Sequence, residues 1–547
     1  MKFVNTFFFL IVFFFASQAQ ERQPNFAQPM RIPIVINASF GELRNNAFHA
    51  GIDYGTNRAE GVNIHSIDDG YVSRIGVSPI GFGKALYIAH PSGHTSVYAH
   101  LREFSPEIDN VVKNYQYENQ RFRVDFHLEE NQIPIKRGQL IGKSGNTGSS
   151  GGPHLHFEVR DTETQEILNP MRFPSFGIVD TRPPTIREIA VFPIEGVANG
   201  RTNRIHFPAS QNPPLINAWG TIGLAVKAYD AINNSTRTLG INEIRLFVDN
   251  EQVFNYKMER YAFHETRYIN SFIDFEDWRR NKSFFMKSFV EPNNRLRLFE
   301  TNNNRGLINI SEERDYRIRY EVLDSHNNKA TFSFVIRGRR ADIPPPPSCR
   351  QTLFYNWENI VHEGDFRAVI PPNVLYTNLC LNYSRRPSAT YLSDIHQLQD
   401  NFTPLHDSID IFLPVDARRI ADTSKLLALK LNGTQKPTPF IGKYENGKFH
   451  FRSREFGSYA AVIDTTPPQI TPQPNAPLRF KITDDLSGID TYNGFINGVW
   501  ALFEYDAKND LLFHRPDNRV SLRKPYTLRL EVTDKVGNKA NYELQVK

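Results

Sequence analysis

Charge of one sign, methionine, cysteine and long apolar runs are all scarce in this 547-residue chain. Lys and Arg number 64 and Asp and Glu 59, leaving a net charge of +5, and no basic run concentrates it. That sets nucleic-acid binding aside, because such proteins carry a basic patch or stripe. Methionine occurs 5 times against 42 Phe and 22 Tyr, and 35 Pro with 32 Gly punctuate the chain. This composition favours many short strands and turns and excludes a helical bundle. The one conspicuous apolar run, residues 7–15, is far short of the ~20 residues that span a bilayer, so no transmembrane segment is expected in the mature chain. With 40% hydrophobic and 22% charged residues, the body reads as soluble and globular. At ~150 residues per domain it divides into three or four domains.

Residues 1–19 have the layout of a cleavable signal peptide. Lys2 precedes the apolar run, and Ser17 and Ala19 suit the positions before a cut that leaves Gln20 first. No cysteine follows, so no lipid anchor is expected there. The protein is expected to be exported, to the periplasm or to the extracellular or cell-surface space. Export permits a disulfide, and the two cysteines, Cys349 and Cys380, fit one bridge or two buried thiols equally well. Neither reading involves catalysis.

The expected fold class is mainly β: an antiparallel domain over residues 30–175, then three β-sandwich, immunoglobulin-like modules. Residues 103–135 are polar and read as an insertion or long loop, the natural place for a lid. Beyond residue 175 the chain repeats itself. Asp180-Thr181-Arg182-Pro183-Pro184 is echoed by Asp464-Thr465-Thr466-Pro467-Pro468, each a stiff entry into a first strand. Glu321-Val322-Leu323-Asp324 with Asn327-Asn328-Lys329-Ala330 is echoed by Glu531-Val532-Thr533-Asp534 with Gly537-Asn538-Lys539-Ala540, a strand–turn–strand pattern. These signals bracket modules at 180–340, carrying an insertion at about 255–310, and at 464–547. A β-rich domain at 349–463 lies between them, behind the linker Pro344-Pro345-Pro346-Pro347.

Several familiar motifs are absent. Gly81-Phe82-Gly83-Lys84-Ala85-Leu86 has Leu where a dinucleotide loop needs Gly, and the stretch from Gly138 to Ser144 is one residue short of a phosphate loop. Gly142-Lys143-Ser144-Gly145-Asn146 lacks the last Gly of a nucleophile elbow. His264-Glu265 and His362-Glu363 have no second His at helical zinc-protease spacing.

A histidine pattern remains. His154 and His156 in Gly152-Pro153-His154-Leu155-His156-Phe157-Glu158 share one face of a strand, roughly 6.5–7 Å apart. In Phe48-His49-Ala50-Gly51-Ile52-Asp53, an extended chain would hold His49 and Asp53 ~13 Å apart, and a turn through Gly51 brings them together. His49, Asp53 and His156 then offer two nitrogens and one oxygen, with a fourth tetrahedral position open, the pattern of a catalytic zinc. His100 ends another strand-like segment, Tyr98-Ala99-His100-Leu101. Glu158 shares the histidine face and reads either as a carboxylate orienting an imidazole or as a surface ion pair. His65, His90, His94 and His127 read as structural.

Taken in order, Phe-His-Ala-Gly-Ile-Asp, Tyr-Ala-His-Leu and Gly-Gln-Leu-Ile-Gly…Gly-Pro-His-Leu-His-Phe-Glu-Val resemble the lysostaphin-type (LytM-like) zinc murein endopeptidases. The resemblance covers about residues 39–170. It implies one zinc ion held by His49, Asp53 and His156, with His100 and His154 as the non-ligand catalytic histidines. It implies peptide cross-links of bacterial peptidoglycan as substrate. The runner-up is a non-catalytic LytM-like regulator or wall-binding scaffold that activates another murein hydrolase. A third reading makes residues 180–547 a cell-wall or protein-partner docking region, although sandwich folds imply no ligand by themselves.

Overall fold

The computed structural model describes residues 24–547 apart from 234 and 236; the expected signal peptide lies outside the described residues. In the N-terminal region the sheet is built from β1 (Ile36–Ala38), β2 (Ile52–Gly55), β3 (Gly70–Val77), β4 (Lys84–Ala89), β5 (His94–Ala99), β6 (Val124–His127) and β7 (His154–Asp161). Their spatial order is β1-β2-β7-β5-β4-β3-β6, and all neighbours are antiparallel. Period-2 alternation along β7 drives Leu155, Phe157 and Val159 into the core, each 0% exposed. The same alternation sends His154, His156, Glu158 and Arg160 to the other face. Because β7 is central, its histidines lie between β2, which carries Asp53, and β5, which leads into His100.

The segment 103–135 departs from the loop expected of it. Residues Pro106–Glu118 form a helix opening with Pro106 and the acidic Glu107 and Asp109, and β6 follows as an edge strand on β3. The helix buries Ile108, Val112 and Gln116, a stripe at spacing four that the polar residues between them disguise. Among the described residues the helix does not line the cleft described below. Its outer end meets the last region of the chain: Tyr117 donates to Asp517 at 2.7 Å and packs edge-on against Trp500 at 5.1 Å.

Residues 185–338 form one ten-stranded hydrogen-bonded sheet built on two 14-residue strands, Thr185–Ala198 and Ile216–Tyr229. Ile216–Ala218 pairs in parallel with Ile336–Gly338, which ties the start of the long strand to the end of the region. Residues 255–310 hold the helices Ile269–Phe272 and Phe275–Asn281 with short strands around them. One of those strands, Arg260–Tyr261, pairs with Ile167–Leu168 and so extends the N-terminal sheet. Tyr261 donates to the Phe48 carbonyl at 3.1 Å and the Phe48 amide donates to Thr266 at 2.8 Å. A single hydrophobic core runs through both regions.

Residues 352–463 form two five-stranded sheets around a second core, and residues 469–546 two four-stranded sheets around a third. Cys349 and Cys380 form a disulfide, with Cα atoms 5.5 Å apart. The last region also reaches the first: Lys84 pairs with the buried Glu504 at 2.9 Å, and the Lys508 ammonium donates to the carbonyls of Asn146 and Ser150. Among the described residues no helix is long and apolar enough to cross a membrane.

Candidate metal centre and catalytic cleft

All five histidine and aspartate positions singled out in the sequence meet at one end of β7. The antiparallel register sets His156 directly opposite Asp53 on β2 and beside Ala99 on β5, one residue before His100. His49 arrives from the bend before β2. A Cβ on Gly51 would lie 2.2 Å from the Phe157 carbonyl oxygen, so glycine lets the bend press against β7. Close approach, not a left-handed turn, is the reason for that residue. His100 itself is left-handed, at φ 60°, and this turns its ring out of the β5 line toward His154.

The three convergent atoms are close. His49 Nε2 lies 3.1 Å from Asp53 Oδ1 and 3.1 Å from His156 Nδ1, and His156 Nδ1 lies 2.9 Å from Asp53 Oδ1. The opposite nitrogen of each ring is anchored: His49 Nδ1 donates to the Ser39 carbonyl at 2.7 Å, and His156 Nε2 donates to Glu158 at 3.0 Å. Anchoring of this kind sets the tautomer and leaves a lone pair aimed inward. Glu158, 0% exposed, is held in turn by Arg160, whose Nε donates at 2.7 Å. Glu158 therefore orients the His156 imidazole, and its ion pair is buried, not the surface pair of the alternative reading.

Two imidazole nitrogens and a carboxylate facing one another call for positive charge between them, from a cation or from a proton on a ring. Burial disfavours an imidazolium at His156, but Asp53 and Glu158 on its two sides outweigh burial and lift it to about 9. Burial likewise opposes charge on Asp53, yet the surrounding imidazoles of His49, His154 and His156 hold its carboxyl well below the usual range. The donor set also fits zinc by size. Ligand bonds of about 2.0–2.1 Å in a tetrahedron put ligand atoms about 3.3–3.4 Å apart, a few tenths of an ångström beyond the separations here.

His100 and His154 flank this centre with ring centroids 4.9 Å apart. His100 Nδ1 donates to the Thr147 carbonyl at 2.9 Å and His154 Nδ1 to the Gly152 carbonyl at 2.8 Å. Each ring therefore presents Nε2 inward, and His154 Nε2 stands 3.5 Å from Asp53 Oδ1. Burial, with the neighbouring imidazoles, pushes His100 down to about 3, so it is neutral. The glycine-rich loop that anchors both rings is itself clamped by Thr147, which accepts from the Lys84 amide and donates to the Leu101 carbonyl, both at 2.9 Å.

The group sits in a cleft of about 1540 Å³. Phe82 stacks on His156, ring centroids 5.3 Å apart, and Arg44 stands over Asp53 at 3.9 Å. Ser235, Arg237, Thr238 and Phe263 form part of the wall. These four were invisible to sequence reasoning, because no local motif links residues beyond 230 to a cleft assembled from residues 35–156. Among the described residues none from 103–135 lines the cleft.

A cleft on a central antiparallel strand thus gathers three acceptors anchored from behind and two further imidazoles beside them, an arrangement suited to a metal ion. The family model "Peptidase family M23" matches residues 115–170, and a "Zu5-like domain" model matches residues 350–464. DD-carboxypeptidase/endopeptidase Mpg of Neisseria meningitidis serogroup B is 33% identical over 112 residues, 20% of each chain. Lysostaphin of Staphylococcus simulans is 28% identical over 132 residues, 24% of this chain and 22% of that protein. Among solved structures, the catalytic domain of the prophage-encoded M23 protein EnpA from Enterococcus faecalis covers 26% of this chain and 95% of its own, at 25% identity and TM-score 0.20. Over this stretch the chain is similar to M23 peptidases, lysostaphin among them. The chain spans only about a fifth of the length of these curated relatives.

Proposed function

We propose that this protein is an exported zinc metalloendopeptidase that cuts peptide cross-links of bacterial peptidoglycan, acting in the periplasm or outside the cell. In this reading residues 1–19 are the export signal, 30–175 the peptidase domain, and 180–340, 349–463 and 464–547 immunoglobulin-like or related β modules. The observation that carries it is the convergence of His49 Nε2, Asp53 Oδ1 and His156 Nδ1 within 3.1 Å of one another, with two further Nε2 atoms turned toward the same point.

His49, Asp53 and His156 hold one zinc ion, which when bound supplies a Lewis acid for the scissile carbonyl and lowers the pKa of water. The remaining work falls to the chain itself. Ser39 and Glu158 keep the two ligand rings in one tautomer and orientation. One of the Nε2 atoms of His100 and His154 takes a proton from the attacking water and, then carrying it, passes it to the leaving amine, while the other, when protonated, donates a hydrogen bond to the developing oxyanion. Phe82 and the glycine-rich loop leave a narrow, partly apolar slot for an extended peptide. The near-zero charge balance leaves shape, rather than electrostatic capture, to bring the enzyme to an anionic wall.

The test is hydrolysis of isolated peptidoglycan and of cross-linked stem-peptide dimers by the mature protein and by His156→Ala, with zinc measured in both. The expected result is about one zinc per chain and release of amino groups by the wild type only. Equal turnover by both proteins puts the hydrolysis outside this centre, and zinc-replete wild type with no turnover leaves a wall-hydrolase regulator; either overturns the reading.

A further inference from the structure

A second cluster of acceptors lies where the peptidase domain passes into residues 180–340. Asp180, Asp324 and His326 offer ligand atoms all within 4.8 Å of one another. Asp180, Asp230 and Asp324 are 6%, 4% and 1% exposed. Among the described residues none of the three carboxylates has a Lys or Arg partner within 4.0 Å; the Arg182 guanidinium instead donates to the carbonyls of Ile232 and Ser235. Uncompensated buried charge at this density is costly.

The hydrogen bonds show which atoms are spoken for and which are not. Asp180 Oδ1 accepts from the amides of Arg182 and Asn233 at 3.1 and 3.2 Å. Asp324 Oδ1 accepts from the amides of His326 and Asn328, and Asp324 Oδ2 from the Asn328 side chain. His326 Nε2 donates to the Ile178 carbonyl at 2.9 Å, which leaves Nδ1 as a lone pair. Three buried acceptors then have no donor among the described residues: Asp180 Oδ2, Asp230 Oδ1 and His326 Nδ1. Burial, with the charges of Asp324 and Asp180, pushes Asp230 up to about 7.

We propose that Asp180, Asp324 and His326, with the carboxyl of Asp230 nearby, form a second, non-catalytic site for a divalent cation, which clamps the junction between the N-terminal domain and the β region behind it. The three ligands come from two separate stretches, the linker entry and the turn after Asp315–Leu323, and Asp230 follows the strand Ile216–Tyr229. Two carboxylates and one imidazole suit a borderline ion such as Zn²⁺ or Mn²⁺ better than Ca²⁺, which takes oxygen ligands. Asp230 also begins the loop that places Ser235, Arg237 and Thr238 on the cleft wall, so the clamp bears on the shape of the substrate slot.

The repeat supplies an internal control. Asp464, Asp484 and Asp534 gather in the same way at the end of the chain, with Asn538 donating to the Asp464 carbonyl and to Asp534 as Asn328 does to Asp180 and Asp324. Val536 stands there in place of His326. None of the Asp464, Asp484 and Asp534 carboxylate oxygens is a buried acceptor without a partner among the described residues.

The experiment uses the full mature chain carrying His156→Ala, stripped with chelator and then titrated separately with Mn²⁺, Zn²⁺ and Ca²⁺, reading bound metal and the thermal midpoint. The expected result is about one ion per chain and a rise of about 5–10 °C in the midpoint at saturating Mn²⁺ or Zn²⁺. Adding Asp180→Asn and Asp324→Asn removes both the ion and the rise, and raises the ion-free midpoint because two buried charges are gone. Adding Asp464→Asn and Asp534→Asn instead leaves the ion bound. No bound ion, loss of the ion with the Asp464/Asp534 pair alone, or a rise that persists in the Asp180/Asp324 variant overturns the proposal. A pH-dependent midpoint insensitive to metal identifies a shared proton in its place.

Discussion

The cleft and the junction cluster are built alike and used differently. Each gathers imidazole and carboxylate groups whose far sides are tied down, so that the near sides face one another. In the cleft the tie is a buried Glu158–Arg160 pair and the open side looks into a cavity flanked by His100 and His154. At the junction the ties are backbone amides, the Asn328 side chain and a carbonyl, and the three carboxylates are almost wholly buried. An open coordination position beside proton-carrying groups marks a catalytic centre, and a closed one a structural centre. The difference lies in what surrounds the acceptors rather than in the acceptors themselves.

That contrast can be broken in graded steps. The largest effect is expected from His100→Ala and His154→Ala, each losing about 10²- to 10⁴-fold in kcat/KM while zinc content stays at the wild-type value. Loss of zinc in either variant would make them ligands and erase the distinction between holding the metal and moving protons. Glu158→Gln keeps a hydrogen-bonding group on His156 and Arg160 but removes the charge. It is expected to weaken zinc affinity or activity about 10- to 100-fold, read by competition with a zinc chelator. Phe82→Ala removes the ring stacked on His156, worth about 0.5–1.5 kcal/mol. That corresponds to no more than about a tenfold loss in kcat/KM, with zinc unchanged.

The smallest step sets the two repeat units against each other. Asn328→Ala deletes side-chain bonds to the Asp180 carbonyl and Asp324, and Asn538→Ala deletes their counterparts on Asp464 and Asp534. Each change is expected to cost about 1–3 kcal/mol in denaturant unfolding. Divalent ion changes the cost of Asn328→Ala and leaves that of Asn538→Ala alone; an equal response in both would remove the distinction between the units.

The cleft was legible in the sequence because each of its chemical residues sits in a short contiguous motif whose geometry is local: a strand pair for His154 and His156, a bend for His49 and Asp53, a strand end for His100. The β class was legible for the same reason, through alternation and turn residues. What escaped was everything set by long-range docking. Residues 106–118 read as loop because their buried stripe is interrupted by polar side chains, one of which, Tyr117, is spent on a contact about four hundred residues away. The boundary drawn at residue 175 did not foresee that the hydrophobic core continues across it, since a core has no sequence marker where one unit hands over to the next. The repeat revealed Asp180 and Asp324, but Asp230 joins them only through the register of a 14-residue strand.

A chain cut after residue 175 keeps every cleft histidine but loses the neighbour of Ile167–Leu168. That strand is completed from outside by Arg260–Tyr261, so the shortened protein would present bare backbone amides and carbonyls along one rim. Such a rim invites a second molecule to dock strand to strand. The N-terminal domain is thus no self-contained cassette: its sheet is completed by part of residues 255–310.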